Sequence, residues 1–205
     1  MYPNFLKRVF DGFASFILLF LLSPLFIVLI IFLLFYNKGK VFYAHKRPGI
    51  CGKPFYMYKF RTLSDTTHPS GQMPPDHLRV TPVRRYLRKM SFDELPQLVN
   101  ILKGDMSLVG PRPLLMEYLP LYDSFQSRRH EVRPGLTGWA QVNGRKLMSW
   151  PDKFKADVWY VDRISFWLDL RILLMTLKVA FGPQQNDIAP EKEFELFRGN
   201  KKSTT

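Results

Sequence analysis

The sequence has little cysteine and little negative charge. Its 205 residues include one cysteine, Cys51, which excludes a disulfide framework and a cysteine-based zinc site. The 17 acidic residues are outnumbered by 30 lysines and arginines, giving a formal net charge of +13. A Walker A loop, a G-x-G-x-x-G turn and the G-x-S-x-G turn of serine hydrolases are all missing. Hydrophobic residues still make up 46% of the chain, which excludes a disordered protein.

One long uncharged segment runs from Gly12 to Tyr36 and is dominated by Leu, Ile, Phe and Val. A straight helix of this length would cross a bilayer core of roughly 30 Å. Pro24 lies at the centre of the segment, removes one helical N–H and predicts a kink or break at Ser23-Pro24. The resulting halves, Gly12–Ser23 and Leu25–Tyr36, each reach only part-way across a bilayer.

Basic residues flank the apolar segment on both sides, with Lys7 and Arg8 before it and Lys38 and Lys40 after it. Positive charge at both ends gives no preferred direction for a span, but it suits a hairpin with both ends on the cytoplasmic side. An ordinary kinked transmembrane helix is the alternative, because proline is tolerated within membranes. Residue patterns alone leave both arrangements open.

The rest of the chain predicts an α/β fold, mostly α-helical with a small β-hairpin. We expect a membrane segment over residues 1–38, a compact cytoplasmic domain over 39–182 and a loose, polar C-terminal tail over 183–205. The predicted hairpin strands are Val41–Ala44 and Phe55–Arg61. The predicted helices are Val83–Met90, Asp93–Leu102, Pro113–Phe125 interrupted at Pro120, Trp150–Val161 and Phe166–Phe181. We expect a surface loop over Ser64–Pro75 and an interfacial, amphipathic role for the last helix.

Four turns carry an arginine beside proline or glycine: Arg47-Pro-Gly49, Gly110-Pro-Arg-Pro113, Arg133-Pro-Gly135 and Asn143-Gly-Arg145. A single turn of this kind is more often an exposed basic loop. Four of them favour a site in which rigid turns aim arginines at an anion.

The segment Ser91–Gln97 carries the most informative chemistry. Ser91 and Glu94 have the spacing of a capping box, which leaves Asp93 free. A basic helix precedes it, with Arg84 and Arg88 on one face. Carboxylates beside arginines at a helix N-terminus suit a phosphate and a divalent metal, and a carboxylate can act as nucleophile in phosphoryl transfer. An Asp-Glu pair alone is a weak signal, because most are solvated helix starts.

The charge of +13 has two physical explanations, attraction to an anionic membrane surface or to nucleic acid. The sequence shows no helix-turn-helix pattern and no aromatic RNA-binding motif. The apolar anchor therefore favours the membrane, and we expect no nucleic-acid partner.

Six motifs in order make the sequence recognisable: Tyr58–Thr62, Ser91–Leu98, Leu102–Ser107, Val109–Pro113, Arg133–Gly138 and Val142–Arg145. With them the chain resembles the bacterial sugar transferase family from Met1 to about Phe181. It is most similar to the small monotopic phosphoglycosyl transferases, the initiating enzymes of bacterial glycan and glycoprotein assembly. Phe92 and Leu63 stand where Leu and Met are common, and neither side chain does chemistry.

The resemblance implies a re-entrant helix broken at Ser23-Pro24, entering one leaflet from the cytoplasmic face of the bacterial inner membrane. It implies transfer of a sugar-1-phosphate from a UDP-sugar to polyprenyl (undecaprenyl) phosphate, with UMP and a polyprenyl-diphosphate-linked sugar as products. The implied mechanism is ping-pong through a covalent phospho-sugar and requires Mg²⁺. The rival hypotheses are direct transfer in a ternary complex and a membrane-anchored basic binding protein without catalysis. The motifs leave the sugar, the pathway and the oligomeric state open.

The resemblance also assigns residues. It makes Asp93 the nucleophile and a Mg²⁺ contact, and it makes Glu94 a group that orients the site or helps to deprotonate the lipid phosphate. The basic residues at family positions that hold phosphates are Lys59, Arg88, Arg112 and Arg145. Which arginine meets which phosphate is not specified by the motifs.

Overall fold

The structure is a computed structural model that describes residues 2–62, 81–144, 148–181 and 196–199. The predicted loop Ser64–Pro75 and the candidate residue Arg145 lie outside the described residues. The α-helices are α1 Lys7–Leu21, α2 Ser23–Tyr36, α3 Pro82–Lys89, α4 Gln97–Lys103, α5 Ser124–Ser127, α6 Trp139–Asn143, α7 Trp150–Val161 and α8 Phe166–Phe181. The strands are β1 Phe42–Pro48, β2 Pro54–Phe60, β3 Ser107–Val109 and β4 Gly135–Thr137. Shorter helical turns cover Tyr2–Leu6, Ile50–Gly52, Phe92–Glu94, Met116–Leu121 and Arg128–His130.

The predicted β-hairpin is confirmed, because β1 and β2 pair antiparallel from Phe42 opposite Phe60 to Pro48 opposite Pro54. Asn100 of α4 fixes the hairpin to the core. Its side chain accepts a hydrogen bond from the Tyr58 backbone N–H at 2.9 Å and donates to the Tyr56 carbonyl at 2.8 Å. The fully buried amide thereby satisfies backbone groups at the free edge of β2.

A second, parallel pair of strands was not predicted. Each of β3 and β4 has only three residues, too few to show a periodic pattern, and they pair with Ser107 opposite Gly135 and Val109 opposite Thr137. Backbone bonds continue beyond the strands, from Gly110 N–H to the Thr137 carbonyl at 2.9 Å. A Cβ at Gly110, Gly135 or Gly138 would collide with backbone atoms of the facing segment. Two of the glycine-containing motifs are therefore the two sides of one tightly packed pair.

The core has a central cluster and two smaller ones. The central cluster joins the hairpin, α4, β3, α7 and α8, and its buried members are Phe55, Met57, Leu98, Ile101, Met106, Leu108, Val109, Tyr160 and Ile172. A second cluster joins α2 to the hairpin and α3 through Leu29, Leu33, Val41, Phe60 and Leu87. The apolar N-terminal segment therefore packs against the globular part as well as extending beyond it.

The N-terminal segment consists of two helices bent by 64° at Leu22. Among the described residues, no single helix meets the length and hydropathy expected of a membrane span, but α1 and α2 meet them together. Pro24 has no N–H to offer the carbonyl one turn back, and the Ser23 hydroxyl donates to that Phe20 carbonyl instead, at 2.7 Å. The break thus lies one residue before the predicted Ser23-Pro24, and α1 begins at Lys7 rather than at Gly12.

The polar start of α1 is buried in the globular part. The Lys7 ammonium lies 2.5 Å from the Asp169 carboxylate of α8, and the Tyr160 hydroxyl donates to the same carboxylate at 2.7 Å. The Asp11 carboxylate accepts a hydrogen bond from the Ser107 hydroxyl at 2.6 Å. Lys7, which the sequence presents as part of a basic flank, is only 7% exposed and serves as an internal ion-pair partner.

The predicted helices Val83–Met90, Trp150–Val161 and Phe166–Phe181 are confirmed, the first to within a residue. The predicted helix Asp93–Leu102 is wrong at its start, because α4 begins only after Pro96, whose ring is tolerated in a first turn but not in a helix interior. The expected helix Pro113–Phe125 is also wrong. That region holds the 3-10 turn Met116–Leu121, containing Pro120, and then the short α5. Within the expected loose tail, Phe197 is buried against Tyr118 and Phe154.

Candidate functional site

The Asp-Glu pair lies on a single 3-10 turn, Phe92–Glu94, between α3 and α4. Ser91 precedes the turn in the left-handed region, with φ of +55°, a conformation that is costly for a residue with a side chain. The predicted capping box is wrong: the Ser91 hydroxyl makes no cap, and the Ser91 carbonyl accepts the Glu94 N–H at 3.1 Å. The left-handed backbone at Ser91 prevents the extended geometry that a cap requires.

Apolar residues on either side of the pair fix the turn on the second N-terminal helix. Phe92 and Leu95 pack against the cluster that contains Leu29 and Leu33 of α2. Asp93 and Glu94 lie between these two anchors in the chain, and Glu94 contacts the hairpin through Lys59 and the loop after β3 through Arg112. The Asp-Glu turn is therefore fixed directly to the apolar segment.

Glu94 is held by two cations. Its carboxylate accepts from the Lys59 ammonium of β2 at 2.7 Å and from the Arg112 guanidinium at 2.6 Å, and its side chain is 15% exposed. Burial alone would raise the pKa of Glu94, but Arg112 and Lys59 outweigh burial and lower the pKa to about 2. A carboxylate so strongly stabilised in its charged form is a weak base and a weak nucleophile.

Asp93 has the opposite environment. It is 8% exposed, and among the described residues its carboxylate forms no hydrogen bond and no ion pair. Burial raises the pKa of Asp93 to about 6, and the neighbouring Glu94 charge adds to this, while Lys59, Arg88 and Arg112 act against it. Asp93 is therefore mostly ionised at pH 7, and no described residue bonds to its carboxylate, which leaves it available as a nucleophile or ligand.

The loop that carries Arg112 is held on one side by Arg129, which the sequence analysis did not single out, and on the other by Gly110. Arg129 is buried, donates to the Arg112 carbonyl at 2.7 Å and forms an ion pair with Asp157 of α7 at 2.7 Å. The close backbone contact of Gly110 with β4 fixes the other side of the loop. Arg129 and Asp157 belong to no recognisable local pattern, because they meet only through the tertiary fold.

The structure brings together five of the six predicted site residues. Asp93, Glu94, Lys59 and Arg112 are in mutual contact or electrostatic range. Arg88 at the end of α3 is exposed and close enough to favour the charged form of Asp93. The sixth, Arg145, lies outside the described residues. The elements that converge are β2, α3, the Asp-Glu turn and the loop after β3.

The arginine turns have different roles. Arg112 lies in the site, whereas Arg133 donates its Nε–H to the Gly104 carbonyl at 2.8 Å and closes the end of α4. Arg133 therefore has a structural acceptor, whereas the expectation that such turns aim arginines at an anion stays a prediction. Arg47 lies near Arg112 at the end of β1.

The described residues contain no group of three His, Cys, Asp or Glu side chains that could hold a metal ion without help from a substrate. Among the described residues of the site, Asp93 is the carboxylate whose oxygens form no hydrogen bond or ion pair. Mg²⁺ commonly takes one or two carboxylates and completes its shell with substrate phosphates and water. The donor set is compatible with Mg²⁺ held by Asp93 together with a phosphate substrate.

The arrangement suits transfer of a phosphoryl group. The buried carboxylate of Asp93, which no described residue binds, lies beside Lys59, Arg88 and Arg112. The Arg88 side chain is exposed, and that of Arg112 is 47% exposed. Cations placed around a nucleophile stabilise the charge on a transferring phosphoryl group. Glu94 keeps two of them in place without competing as a nucleophile.

Comparison with known proteins gives consistent matches. The sequence model of a family described as bacterial sugar transferase matches residues 2–183. The chain is 52% identical over 192 residues to the uncharacterized sugar transferase EpsL of Bacillus subtilis, covering 92% of this chain and 95% of that protein. It is 38% identical over 193 residues to the undecaprenyl-phosphate galactose phosphotransferase of Salmonella typhimurium, covering 86% and 40%. It is 36% identical over 187 residues to the UDP-glucose:undecaprenyl-phosphate glucose-1-phosphate transferase of Xanthomonas campestris, covering 86% and 39%. The last two proteins are longer, and the match covers less than half of each.

Proposed function

The chain belongs to the bacterial sugar transferase family, and from this membership we propose that it transfers a sugar-1-phosphate from a UDP-sugar to polyprenyl phosphate. The products are UMP and a polyprenyl-diphosphate-linked sugar, with undecaprenyl phosphate as the acceptor that relatives' names indicate. The observation that carries the proposal is the contrast within the Asp-Glu turn, where Asp93 is free and Glu94 is doubly paired. The relatives named for glucose and galactose differ in sugar, so the donor sugar stays undefined.

We propose that Asp93 is the nucleophile of a two-step, ping-pong reaction. A carboxylate oxygen of Asp93 attacks the sugar-linked phosphorus, the bond to the bridging oxygen breaks, and the electron pair leaves with UMP. An oxygen of polyprenyl phosphate then attacks the same phosphorus and releases Asp93. Both steps exchange one phosphorus–oxygen bond for another of similar energy, so a covalent intermediate is energetically accessible.

The cations have distinct tasks in this mechanism. Lys59, Arg88 and Arg112 neutralise the diphosphate of the donor, and we assign the same task to Arg145 from its motif. Glu94 orients Lys59 and Arg112, and its low pKa favours this role over deprotonation of the lipid phosphate. Asp93 and the substrate phosphates would hold Mg²⁺, which would supply charge neutralisation at the transferring group.

We propose a re-entrant, monotopic arrangement at the cytoplasmic face of the bacterial inner membrane. Both ends of the bent helix pair contact the globular part: Lys7 contacts Asp169 at the start, and the Asn37 amide donates to the Arg61 carbonyl at 2.8 Å at the end. This supports an entry and an exit on the same side. The acceptor phosphate lies at the headgroup level, and the packing of Phe92 and Leu95 against α2 supports a position of the Asp-Glu turn near that level.

The decisive experiment traps the intermediate. Purified protein in nanodiscs is incubated with Mg²⁺ and a panel of UDP-sugars without acceptor, and intact-protein mass and UMP are measured. We expect one sugar-phosphate per chain and one equivalent of UMP with the correct donor, and neither in Asp93→Asn. Asp162→Asn, at an exposed ion pair with Arg128, is the matched control and should behave as the wild type.

Two outcomes would replace the proposal. UMP released only when acceptor is present, with no mass increase, would favour direct transfer in a ternary complex with Asp93 as a metal ligand. An absence of turnover with every donor and acceptor, together with binding of anionic lipid, would favour a membrane-anchored binding protein.

A further inference from the structure

We propose that Arg47 is a further phosphate-binding residue, and that it contacts the donor phosphate that leaves with UMP. This inference rests on the proposed transferase function and adds a residue to the same site. Arg47 belongs to none of the six motifs, but it begins one of the arginine-bearing turns, Arg47-Pro-Gly49.

Arg47 is a partly buried cation whose hydrogen-bonding capacity is not filled. Its Nη2 lies 3.2 Å from Nδ1 of His45, while its Nε is buried and has no hydrogen-bond partner. Among the described residues no carboxylate forms an ion pair with it. A buried donor without an acceptor is unfavourable, so an arginine in this state is expected where a ligand supplies the acceptor.

The neighbourhood of Arg47 connects it to the proposed active site. Pro48, next in the chain, lines the same surface depression as Arg112 and His130. The His130 ring lies 3.3 Å from the Gly49 carbonyl, and its neighbour Arg129 donates to the Arg112 carbonyl at 2.7 Å. The turn Arg128–His130 thus contacts both the turn of Arg47 and the loop that carries Arg112. Burial lowers the pKa of Arg47, and the Arg112 guanidinium lowers it further, which places the two guanidinium groups within electrostatic range.

The position of Arg47 relative to Asp93 indicates which phosphate it meets. Lys59, which donates to Glu94, lies opposite Tyr43 in the hairpin. Arg47 lies four residues further along β1, opposite Phe55, and so further along the hairpin from the Asp-Glu turn than Lys59. A UDP-sugar carries two adjacent phosphates, and the attacked one must face Asp93. The second phosphate, one bridging oxygen away, then falls beside Arg47.

A guanidinium at this place has a chemical purpose. When the phosphorus–oxygen bond breaks, the bridging oxygen leaves with UMP and takes the electron pair, so negative charge develops on that phosphate. Arginine can donate two parallel hydrogen bonds to a phosphate, which neutralises this charge and orients the leaving group.

The other arginine-proline-glycine turn provides an internal comparison. Arg133 occupies the same place in Arg133-Pro-Gly135, but it donates to the Gly104 carbonyl at 2.8 Å and so has a structural acceptor. Arg47 has no such carbonyl acceptor among the described residues. The tripeptide alone therefore does not explain its conformation.

The test measures nucleotide binding by the full chain in nanodiscs. Arg47→Gln is compared with Lys46→Gln, which removes the same charge from an exposed neighbour on the opposite face of β1. We expect the Kd for UMP and for UDP to rise about tenfold or more in Arg47→Gln, as for loss of a charged hydrogen bond. Uridine, which has no phosphate, should inhibit transfer by Arg47→Gln as strongly as transfer by the wild type. Lys46→Gln should bind UMP and UDP with wild-type affinity. Arg47→Lys should recover part of the affinity, and it replaces Arg47→Gln if that variant does not fold.

Each other outcome overturns a defined part of the inference. Unchanged UMP and UDP affinity would remove Arg47 from the donor site. Weakened UDP with unchanged UMP would move Arg47 to the transferred phosphate, and a loss confined to polyprenyl phosphate would move it to the acceptor. A wild-type protein that binds neither nucleotide would instead contradict the proposed donor, whatever Arg47 does.

Discussion

Two adjacent carboxylates with opposite pKa shifts define the chemistry at the scale of single residues. Asp93 and Glu94 share a turn and a basic surrounding, but only Glu94 is within bonding distance of Lys59 and Arg112. Two direct ion pairs outweigh burial at Glu94, whereas burial prevails at Asp93. In the proposed mechanism the environment therefore divides the roles of two similar side chains: Glu94 supports the cations and Asp93 acts as nucleophile.

Replacing Asp93 by asparagine should stabilise the fold while it abolishes transfer. Burial raises the pKa of Asp93 to about 6, so keeping it ionised at pH 7 costs on the order of 2–3 kcal/mol. The folded pKa lies above the unfolded value, so this cost is absent below about pH 4, grows up to pH 6 and is complete above it. We expect Asp93→Asn to raise the midpoint of thermal unfolding at pH 7, by an amount that shrinks towards pH 4.

The control for this prediction is Asp162→Asn, which removes a surface carboxylate. It should change the unfolding midpoint little, without the same trend in pH. An Asp93→Asn protein that is less stable than the wild type at pH 7 would show that the carboxylate has a stabilising partner in the fold.

Glu94→Gln should shift the pH dependence of the first step. The wild-type rate of intermediate formation should fall with a midpoint near pH 6 as Asp93 becomes protonated. The Glu94 charge is one of the groups that raise the pKa of Asp93, so its removal should move this midpoint to lower pH. The maximal rate should also fall, because Lys59 and Arg112 lose the group that orients them.

Single-turnover UMP release between pH 4.5 and 8 measures this shift. Glu131→Gln, at a surface pair with Arg128, is the control and should keep the wild-type midpoint. A midpoint that moves to higher pH in Glu94→Gln would contradict the electrostatic account of the pair.

At the scale of elements, Ser23 and Pro24 act together at the break between α1 and α2. Pro24 removes the hydrogen bond to the Phe20 carbonyl, and the Ser23 hydroxyl satisfies that carbonyl at 2.7 Å. Unsatisfied backbone groups are expensive in an apolar surrounding, so serine makes the bend tolerable where proline makes it necessary. The bend of 64° then turns α2 back towards the globular part.

Pro24→Ala should straighten the pair and change the side on which the N-terminus lies. A continuous helix over residues 7–36 would be about 45 Å long, more than the roughly 30 Å bilayer core. The ion pair of Lys7 with Asp169 opposes this change. Pro24→Ala combined with Lys7→Met should therefore move the N-terminus to the outer side in a larger fraction of molecules than Pro24→Ala alone.

Labelling with an impermeant maleimide measures the topology. A cysteine at position 5 in a Cys51→Ser background should be inaccessible from outside spheroplasts in the parent and partly accessible in the Pro24→Ala variants. A cysteine at position 121 should remain inaccessible from outside in all of them. Outside labelling of the parent at position 5 would favour the kinked transmembrane helix instead.

Local patterns in the sequence were sufficient to predict the elements whose structure depends on residues close by in the chain. The hairpin, α3, α7 and α8 follow from β-rich runs and helical spacing, and their bounds agree with the structure to within a few residues. The β3–β4 pair could not be predicted, because three-residue strands carry no period and are held by the close approach of Gly110 to Gly135.

The sequence named residues that the structure brings together, but it did not predict which of them form hydrogen bonds and ion pairs with one another. Motifs identify Asp93, Glu94, Lys59 and Arg112, yet the capping box assigned Glu94 to a local partner. In the structure Glu94 binds cations that lie 35 and 18 residues away in the chain. Such pairing depends on the tertiary fold, and so does the support that Arg129 gives to Arg112.

At the scale of the whole molecule, the exposed apolar residues support the proposed association with a membrane. The exposed large apolar residues include much of α1 and α2, and also Trp167, Leu174 and Leu177 on α8. Arg171 and Lys178 are exposed on the same helix. Apolar residues interleaved with basic ones are typical of a helix that lies in the interface of an anionic membrane. The rings of Phe166 and Phe10 lie 5.7 Å apart, so α8 starts beside α1.

The last prediction places Trp167 in the lipid headgroup region. Its side chain is 75% exposed in the absence of a membrane, and tryptophan is enriched at the boundary between headgroups and acyl chains. A variant that retains Trp167 as its single tryptophan should show blue-shifted emission in vesicles and strong quenching by lipids brominated near the carbonyl region. A variant that retains only Trp150, packed against Phe154 and Tyr118, should show little quenching by the same lipids. Equal quenching of the two would mean that α8 does not face the bilayer, and the active site would then have to reach the lipid phosphate through α2 alone.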